Sequence, residues 1–273
     1  MPGAANAAED IVILEQKSAW NVDFAPNKCT LAGIFVDPDG NEHVLGFEQQ
    51  EPSLRFHLSM AGAALKDFKS ATKTGLSFRA DQQPMERRLV VFPFKPGQRS
   101  IVAIYSRLDD SMENDDEVPT ALLTEEAAGV EYVSLKQEGK EVRFKTGPLA
   151  DAFEVVNACT RDMVSEWGFD ADQHANATRR PIWKNRDYVV RRISDYFPAT
   201  QLEAGESGFL QIRLNVDAQG EVTECFFNDL SAEESKNTSP CRVMSKSRFD
   251  PALDSEGKPF ASYISTRIVY QTN

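Results

Sequence analysis

The strongest alternation of apolar and polar positions lies near the end of the chain, between Gly208 and Gln271. Leu210, Ile212, Leu214 and Val216 alternate with Gln211, Arg213 and Asn215, the period of a strand with one buried and one wet face. Ala218-Gln219-Gly220 then turns the chain into a second alternating run, Val222 to Phe227, so a hairpin is predicted. After a polar crossing, Ser239-Pro240 offers an N-cap and a first-turn proline for a short helix, with Cys241 and Met244 one turn apart on it. An alternating strand from Ala261 to Gln271 closes the chain.

Upstream the period is again that of strands. Trp20, Val22 and Phe24 alternate, Cys29 to Val36 is extended, Asp37-Pro38-Asp39-Gly40 is turn chemistry, and His43 to Phe47 returns. Leu54, Phe56, Leu58 and Met60 point to one side, with Arg55, His57 and Ser59 on the other. This is antiparallel sheet, read as part of a sandwich. The signals weaken between Ala61 and Val118, where Leu76-Ser77-Phe78, Leu89 to Phe94 and Ile101 to Tyr105 read as extended. A hairpin follows, from Val130 to Leu135 through Glu138-Gly139-Lys140 to Val142 and Phe144. Leu149, Phe153, Val156, Cys159, Met163 and Trp167 then fall on one helical stripe, predicting a helix over 148–166 that Gly168 ends. Residues 171–190 are polar, carry Pro181 and lack a sustained period, so they read as a linker. The expected fold class is therefore α+β: an antiparallel, sandwich-like β-rich domain over 1–170 closed by the 148–166 helix, the linker, and a hairpin–helix–strand domain over 191–273 that begins near Tyr196-Phe197-Pro198.

Charge and chemistry narrow the functional classes. A net charge of −12 repels phosphate backbones, and no basic cluster compensates, which excludes nucleic acid as a partner. No run approaches the roughly 18 apolar residues of a membrane-spanning helix, so no span is expected. Ala5-Asn6-Ala7 fits both the triplet before a signal-peptidase cut and an ordinary Ala-rich terminus. Cys29, Cys159, Cys225 and Cys241 form no C-x-x-C pair, and no histidine is spaced to complete a zinc site, so neither a metal nor a cofactor is expected. Disulfides or buried thiols remain. Pairing Cys29 with Cys159 and Cys225 with Cys241 is the simplest of the three connectivities, and it implies an oxidising compartment. The acidic run Asp109 to Glu117 lacks the glycine and terminal glutamate of a calcium loop and reads as a solvated loop. Only His43, His57 and His174 could serve as catalytic bases, and no G-x-S-x-G, H-E-x-x-H or glycine-rich phosphate loop occurs. His57 falls on the polar face of a strand and His174 in the linker, so both read as surface residues, and no catalytic residue is nominated.

Several of these positions match a known pattern. Gly208, Val216-Asp217, Gly220-Glu221-Val222, Arg248-Phe249, Pro251-Ala252, Gly257-Lys258-Pro259 and the closing strand to Tyr270 resemble the C-terminal domain of the TonB energy-transducer family. Tyr196-Phe197-Pro198 looks like a widened form of the Tyr-Pro segment of that family. The likeness covers about the last third of the chain. The cysteines at 225 and 241, together with Cys159 to Asp170 (CTRDMVSEWGFD), are similar to a subset of exported bacterial proteins that join this domain to an N-terminal β-rich region. One departure is Asn228-Asp229-Leu230-Ser231, where Ser-Ser-Gly is common in the family.

The resemblance implies a module whose last strand accepts an extended peptide by strand addition, in which an open edge offers unpaired N–H and C=O groups. Residues Ala261, Tyr263, Ser265, Arg267, Val269 and Gln271 are the implied partner-contact positions. Transducers of the family also carry a membrane anchor and a Pro-rich spacer. This chain shows neither, so energy transduction is not expected. The expectation is a non-catalytic periplasmic binding or adaptor protein that recognises a protein or envelope component through its last strand or an inter-domain groove. The alternatives are an envelope hydrolase with its site in the N-terminal domain, or a structural module that dimerises through the last strand.

Overall fold

The computed structural model describes residues 10–70, 72–95, 98–110, 121–194, 208–229 and 239–270. The chain is mixed α+β with strand dominant. Its described residues separate into two compact units, one up to Thr160 and one from Arg161 onward.

The first unit is built on strands β1 (Asp10–Gln16), β2 (Asn21–Ala25), β3 (Lys28–Val36), β4 (Glu42–Gln49), β5 (Phe56–Ala61) and β6 (Lys73–Ser77), followed by β7 (Met85–Arg88), β8 (Val90–Lys95), β9 (Gln98–Ser106), β10 (Val133–Gln137) and β11 (Lys140–Lys145). They form one 11-stranded sheet in the order β7-β6-β10-β11-β1-β3-β4-β5-β9-β8, with β2 paired to β3. The sheet is nearly closed and replaces the two facing layers that a sandwich would have. Alternation along a strand reports which face is buried, but it carries no information on whether strands stack in two layers or curl into one. The deciding pairing is β1 with β11, the one parallel ladder among the described residues, which runs from Asp10 beside Lys140 to Glu15 beside Lys145. It joins the start of the unit to its last hairpin.

The interior is aromatic. Phe35, Phe47, Phe56, Phe78, Phe144 and Phe153 are almost wholly buried. Phe47 meets Phe56 and Phe153 edge-on at 5.2 and 5.4 Å, the arrangement that ring quadrupoles favour. After the short helix α1 (Thr124–Ala127), helix α2 (Ala150–Glu166) supplies Phe153, Val156, Cys159 and Met163 from the predicted stripe, all buried. Cys29 of β3 and Cys159 of α2 form a disulfide across 130 residues. In the chain-entropy account, closing so long a loop stabilises by about 5 kcal/mol. Gly168, at φ 86°, follows the helix.

The stretch expected to be a linker, 171–190, is part of the second unit and carries structure of its own. Asp170 caps α3 (Ala171–Ala175) by accepting from the Asp172 and Gln173 amides, and β12 (Ile182–Trp183) leads into α4 (Arg186–Ser194). These pieces are too short for a period to show in the sequence. The rest comprises β13 (Gly208–Val216), β14 (Val222–Asp229), α5 (Ser239–Met244), β15 (Phe249–Asp250), β16 (Ala252–Leu253), β17 (Pro259–Phe260) and β18 (Ser262–Tyr270). Strands β14, β13 and β18 form a three-stranded sheet in that order, while β12 pairs with β15 and β16 with β17. Val189 and Ile193 of α4, Val243 and Met244 of α5, and Phe249 pack with Ile212, Leu214 and Val216 of β13. A disulfide between Cys225 and Cys241, 16 residues apart, ties β14 to α5.

One loop design recurs three times, at Asp37-Pro38-Asp39-Gly40-Asn41, Asp217-Ala218-Gln219-Gly220-Glu221 and Asp254-Ser255-Glu256-Gly257-Lys258. In each, the aspartate carboxylate accepts from the amides two and four residues on. The glycine takes positive φ, at 83°, 83° and 77°. Short polar side chains that mimic a backbone turn, followed by a residue free to adopt left-handed φ, are what such hairpins require.

The three glycines differ in surroundings, and this yields a test. A Cβ at Gly220 would stand 1.9 Å from the Phe249 carbonyl oxygen, whereas one at Gly40 meets nothing within 4 Å. Gly40→Ala is expected to cost only the left-handed backbone penalty, about 1–2 kcal/mol. Gly220→Ala is expected to cost a further ~1–3 kcal/mol for overpacking. Urea denaturation of the two variants checks the difference; equal losses would contradict the close approach of β15 to the hairpin.

Candidate binding site

Strand β18 pairs with β13 along nine consecutive positions, from Ser262 opposite Val216 to Tyr270 opposite Gly208. Among the described residues it has a strand on one side only. Alternate N–H and C=O groups of an antiparallel edge strand point away from its partner. The expected contact residues fall on this strand unevenly. Ala261 is exposed and precedes its first residue, Ser265 and Arg267 are half-buried, and Val269 lies within the strand. Tyr263 is 3 % exposed, so it offers backbone but no free ring. Gln271 lies outside the described residues.

The register assigns the two faces of the sheet. Ile212, Leu214 and Val216 face the apolar core with Ile264 and Ile268. Gln211, Arg213 and Asn215 face the other way, opposite Arg267, Ser265 and Tyr263 on one side, with Phe226 and Glu224 of β14 opposite Arg213 and Asn215 on the other. This second face was expected to be wet and is not: Gln211, Arg213 and Asn215 are 4 %, 7 % and 8 % exposed. Alternation distinguishes apolar from polar positions, but a polar row can be covered when aromatic surface meets it.

Aromatic surface does meet it at Arg213. The Arg213 Cζ lies 4.2 Å from the Trp167 ring centroid and 4.1 Å from that of Phe226, so the guanidinium is stacked on two rings. Its Nε and Nη1 are buried with no hydrogen-bond partner among the described residues. Loss of solvent pushes the Arg213 pKa down, and the Glu224 carboxylate partly offsets that. Next to it, Asn215 donates through Nδ2 to Glu224 Oε2 at 2.7 Å. A buried donor left unmade costs about 1–3 kcal/mol, and more when charged, so this arginine is held at an energetic cost. Nothing in the sequence marked Arg213 apart from the other polar positions of its strand, and Trp167 read only as the end of a helix stripe.

His174, expected on the surface of a linker, is instead 8 % exposed. Its Nδ1 lies 2.7 Å from the Asp170 carbonyl oxygen and its Nε2 3.0 Å from Ser262 Oγ. A carbonyl only accepts, so Nδ1 carries the proton and Nε2 accepts from the Ser262 hydroxyl. Tyr263 stacks on the ring at 5.0 Å, with Phe169 and Phe260 at 5.3 and 4.9 Å. A serine hydroxyl on an imidazole whose other nitrogen is oriented is the geometry of an activated nucleophile. Here, however, Ser262 is 3 % exposed and an aromatic box surrounds the imidazole. The pair acts as a cross-link between α3 and β18. His43 is used in a similar way in the first unit: it is fully buried, with Nδ1 3.0 Å from the Asn41 carbonyl oxygen and Nε2 accepting from the Ala64 amide at 3.0 Å. His57 is half-buried, its ring 4.6 Å from that of Tyr105.

Two further polar clusters pair internally. A cavity of ≈ 240 Å³ is lined by Asp67, Lys69, Glu138 and Lys140, which pair as Lys69 with Glu138 and Lys140 with Asp67. Most of the acidic run, residues 111–117, lies outside the described residues. Of its first members, Asp109 accepts from Arg79 at 3.0 Å, and Asp110 accepts from Arg87 at 2.6 Å. That bond to Arg87 holds the Asp110 carboxyl below the usual carboxylate range. Among the described residues no helix is long and apolar enough to cross a membrane.

Burial lowers the His174 pKa, and the sign of the linked stability follows. Below its ordinary value of about 6.5 the unfolded chain takes up a proton that the folded chain does not. Stability is therefore expected to fall as pH drops below about 6.5, levelling off once pH passes the lower folded value. Denaturant midpoints between pH 7.5 and 4.5, compared with His174→Gln, check this; an unchanged slope in the variant would sink it. No protein-family model matches this chain, and no curated protein matches it either, so its function is argued from this geometry.

Proposed function

We propose that the protein is a non-catalytic binding protein of the periplasm, whose C-terminal unit is a TonB-like module that captures an extended segment of a partner protein or envelope component on β18. It is the ladder of β18 that carries this function: a nine-residue strand paired on one side without a break, with no strand on the other among the described residues. An edge of that length offers a partner several main-chain hydrogen bonds, with alternate side chains to set preference. The order of hairpin, short helix and closing strand, with the Asp217–Glu221 loop at its tip, supports the TonB likeness. The two disulfides support an oxidising compartment. The enclosure of the Ser262–His174 pair favours binding over hydrolysis.

Adjacent residues of a strand send their N–H groups to opposite edges, so a pair of prolines tests the edge. Of Ser265→Pro and Thr266→Pro, one removes a donor to β13 and the other an outward donor. Peptides selected from a displayed random library on the full chain are expected to lose at least about tenfold in affinity, ~1.4 kcal/mol, with the outward proline while the fold, read by circular dichroism, survives. The inward proline is expected to lower the denaturation midpoint. Selected peptides that bind both folded variants as well as wild type would overturn strand capture, and a concentration-dependent dimer that the outward proline abolishes would show that a second copy occupies the edge instead.

A further inference from the structure

The Arg213 site stands apart from the β18 edge and holds whether or not that edge captures a strand. The Trp167 and Phe226 rings both lie against the guanidinium, 4.2 and 4.1 Å from Cζ to ring centroid, and its in-plane N–H donors are the groups left to act. Two of these, Nε and Nη1, have no partner among the described residues, although the side chain is 7 % exposed. A charged group this far out of water is ordinarily paired. The nearby carboxylate of Glu224 is engaged by Asn215 Nδ2 at 2.7 Å. Of the two rings Phe226 is the more exposed, at 40 %.

The chemistry of the donors selects the ligand class. Arg213 and Arg267 lie diagonally across β13 and β18, and Glu224 is on the same face of β14. Planar N–H donors on a cation match the in-plane lone pairs of a carboxylate. From the stacked, unpaired guanidinium we infer that Arg213 anchors a carboxylate-binding site on this face of the sheet, taking one carboxylate group of a ligand. That group could be the terminus or an acidic side chain of a peptide, or a small free carboxylate.

The test uses the full chain and reads Arg213 directly. In ¹⁵N NMR, the Arg213 Nε–H resonance is followed during titration with acetate, N-acetylglycine and N-acetylglutamate α-amide, up to roughly 50 mM, which reaches millimolar affinities, against chloride at equal ionic strength. A saturable shift with carboxylate and none with chloride is expected. Arg213→Lys, which keeps the charge but loses the planar donors, is expected to weaken binding by about tenfold or more. Preference for N-acetylglycine would identify a chain terminus, preference for the glutamate amide a side chain, and equal response to acetate a small free carboxylate. A resonance that none of the three moves, or that chloride moves equally, overturns the proposal without recourse to any variant.

Discussion

Strand β13 must bury both of its faces, and the second unit is arranged around that constraint. As the middle strand it spends its backbone on β14 and β18, so only side chains remain to meet what lies above and below. On one face the solution is ordinary: Ile212, Leu214 and Val216 against two helices, each buried aliphatic side chain worth about 1.5–3 kcal/mol. On the other face an arginine, a glutamine and an asparagine are covered, which is favourable only if their polar groups are met. Asn215 finds Glu224. Arg213 finds two rings, which cover the guanidinium but leave its Nε and Nη1 donors unmet. That imbalance separates a packed face from a receptive one.

The first unit handles its polar groups differently. Gln137 reaches the Lys69 carbonyl and Thr74 Oγ1 with its amide nitrogen, while its oxygen accepts from the Lys69 amide. Buried Glu141 accepts from Ser134 at 2.7 Å and from Arg143. These are closed networks that specify register in a sheet whose two faces would otherwise tolerate slippage. The aromatic interior and the Cys29–Cys159 bond then hold α2 to the sheet.

Local rules were legible where a period or a turn residue acts alone. The helix stripe from Leu149 to Met163, the Glu138-Gly139 turn, with φ of 50° and 84°, and the loops at Asp37 and Asp217 were all readable from spacing. The halves of the chain suggested the cysteine pairing that the structure contains. What escaped depends on contacts distant in sequence. The union of the strands into one sheet hangs on β1 meeting β11, some 130 residues later, and no local pattern encodes it. Between residues 171 and 190, Ile182–Trp183 is a strand only because Phe249–Asp250 lies beside it. His174 looked solvated because its neighbours in sequence are polar, whereas three of the rings that box it come from Phe169, Phe260 and Tyr263. Arg213 carried no signal, since its role arises from Trp167, which lies 46 positions earlier (213 − 167).

The three-stranded sheet has two outer strands, and their regularity differs in a way that favours β18 as the recognition edge. The ladder between β13 and β14 shifts register between Asn215 and Val216, the kind of irregularity that twists a strand and spoils it as a template. The same turn end of the hairpin is pinned as well, by the bridge between Glu221 and Arg248 and their ion pair at 3.1 Å. The β13–β18 ladder has no such break across its nine pairs. Natural edges are commonly blunted by proline, bulges or inward-pointing charge. Between Ser262 and Tyr270 there is no proline or glycine, and Arg267 is the one charged residue. A nine-residue edge that no proline, glycine or bulge interrupts is a liability unless something lies along it, and its polar centre, Ser265-Thr266-Arg267, suits a partner that arrives and leaves better than one buried for good.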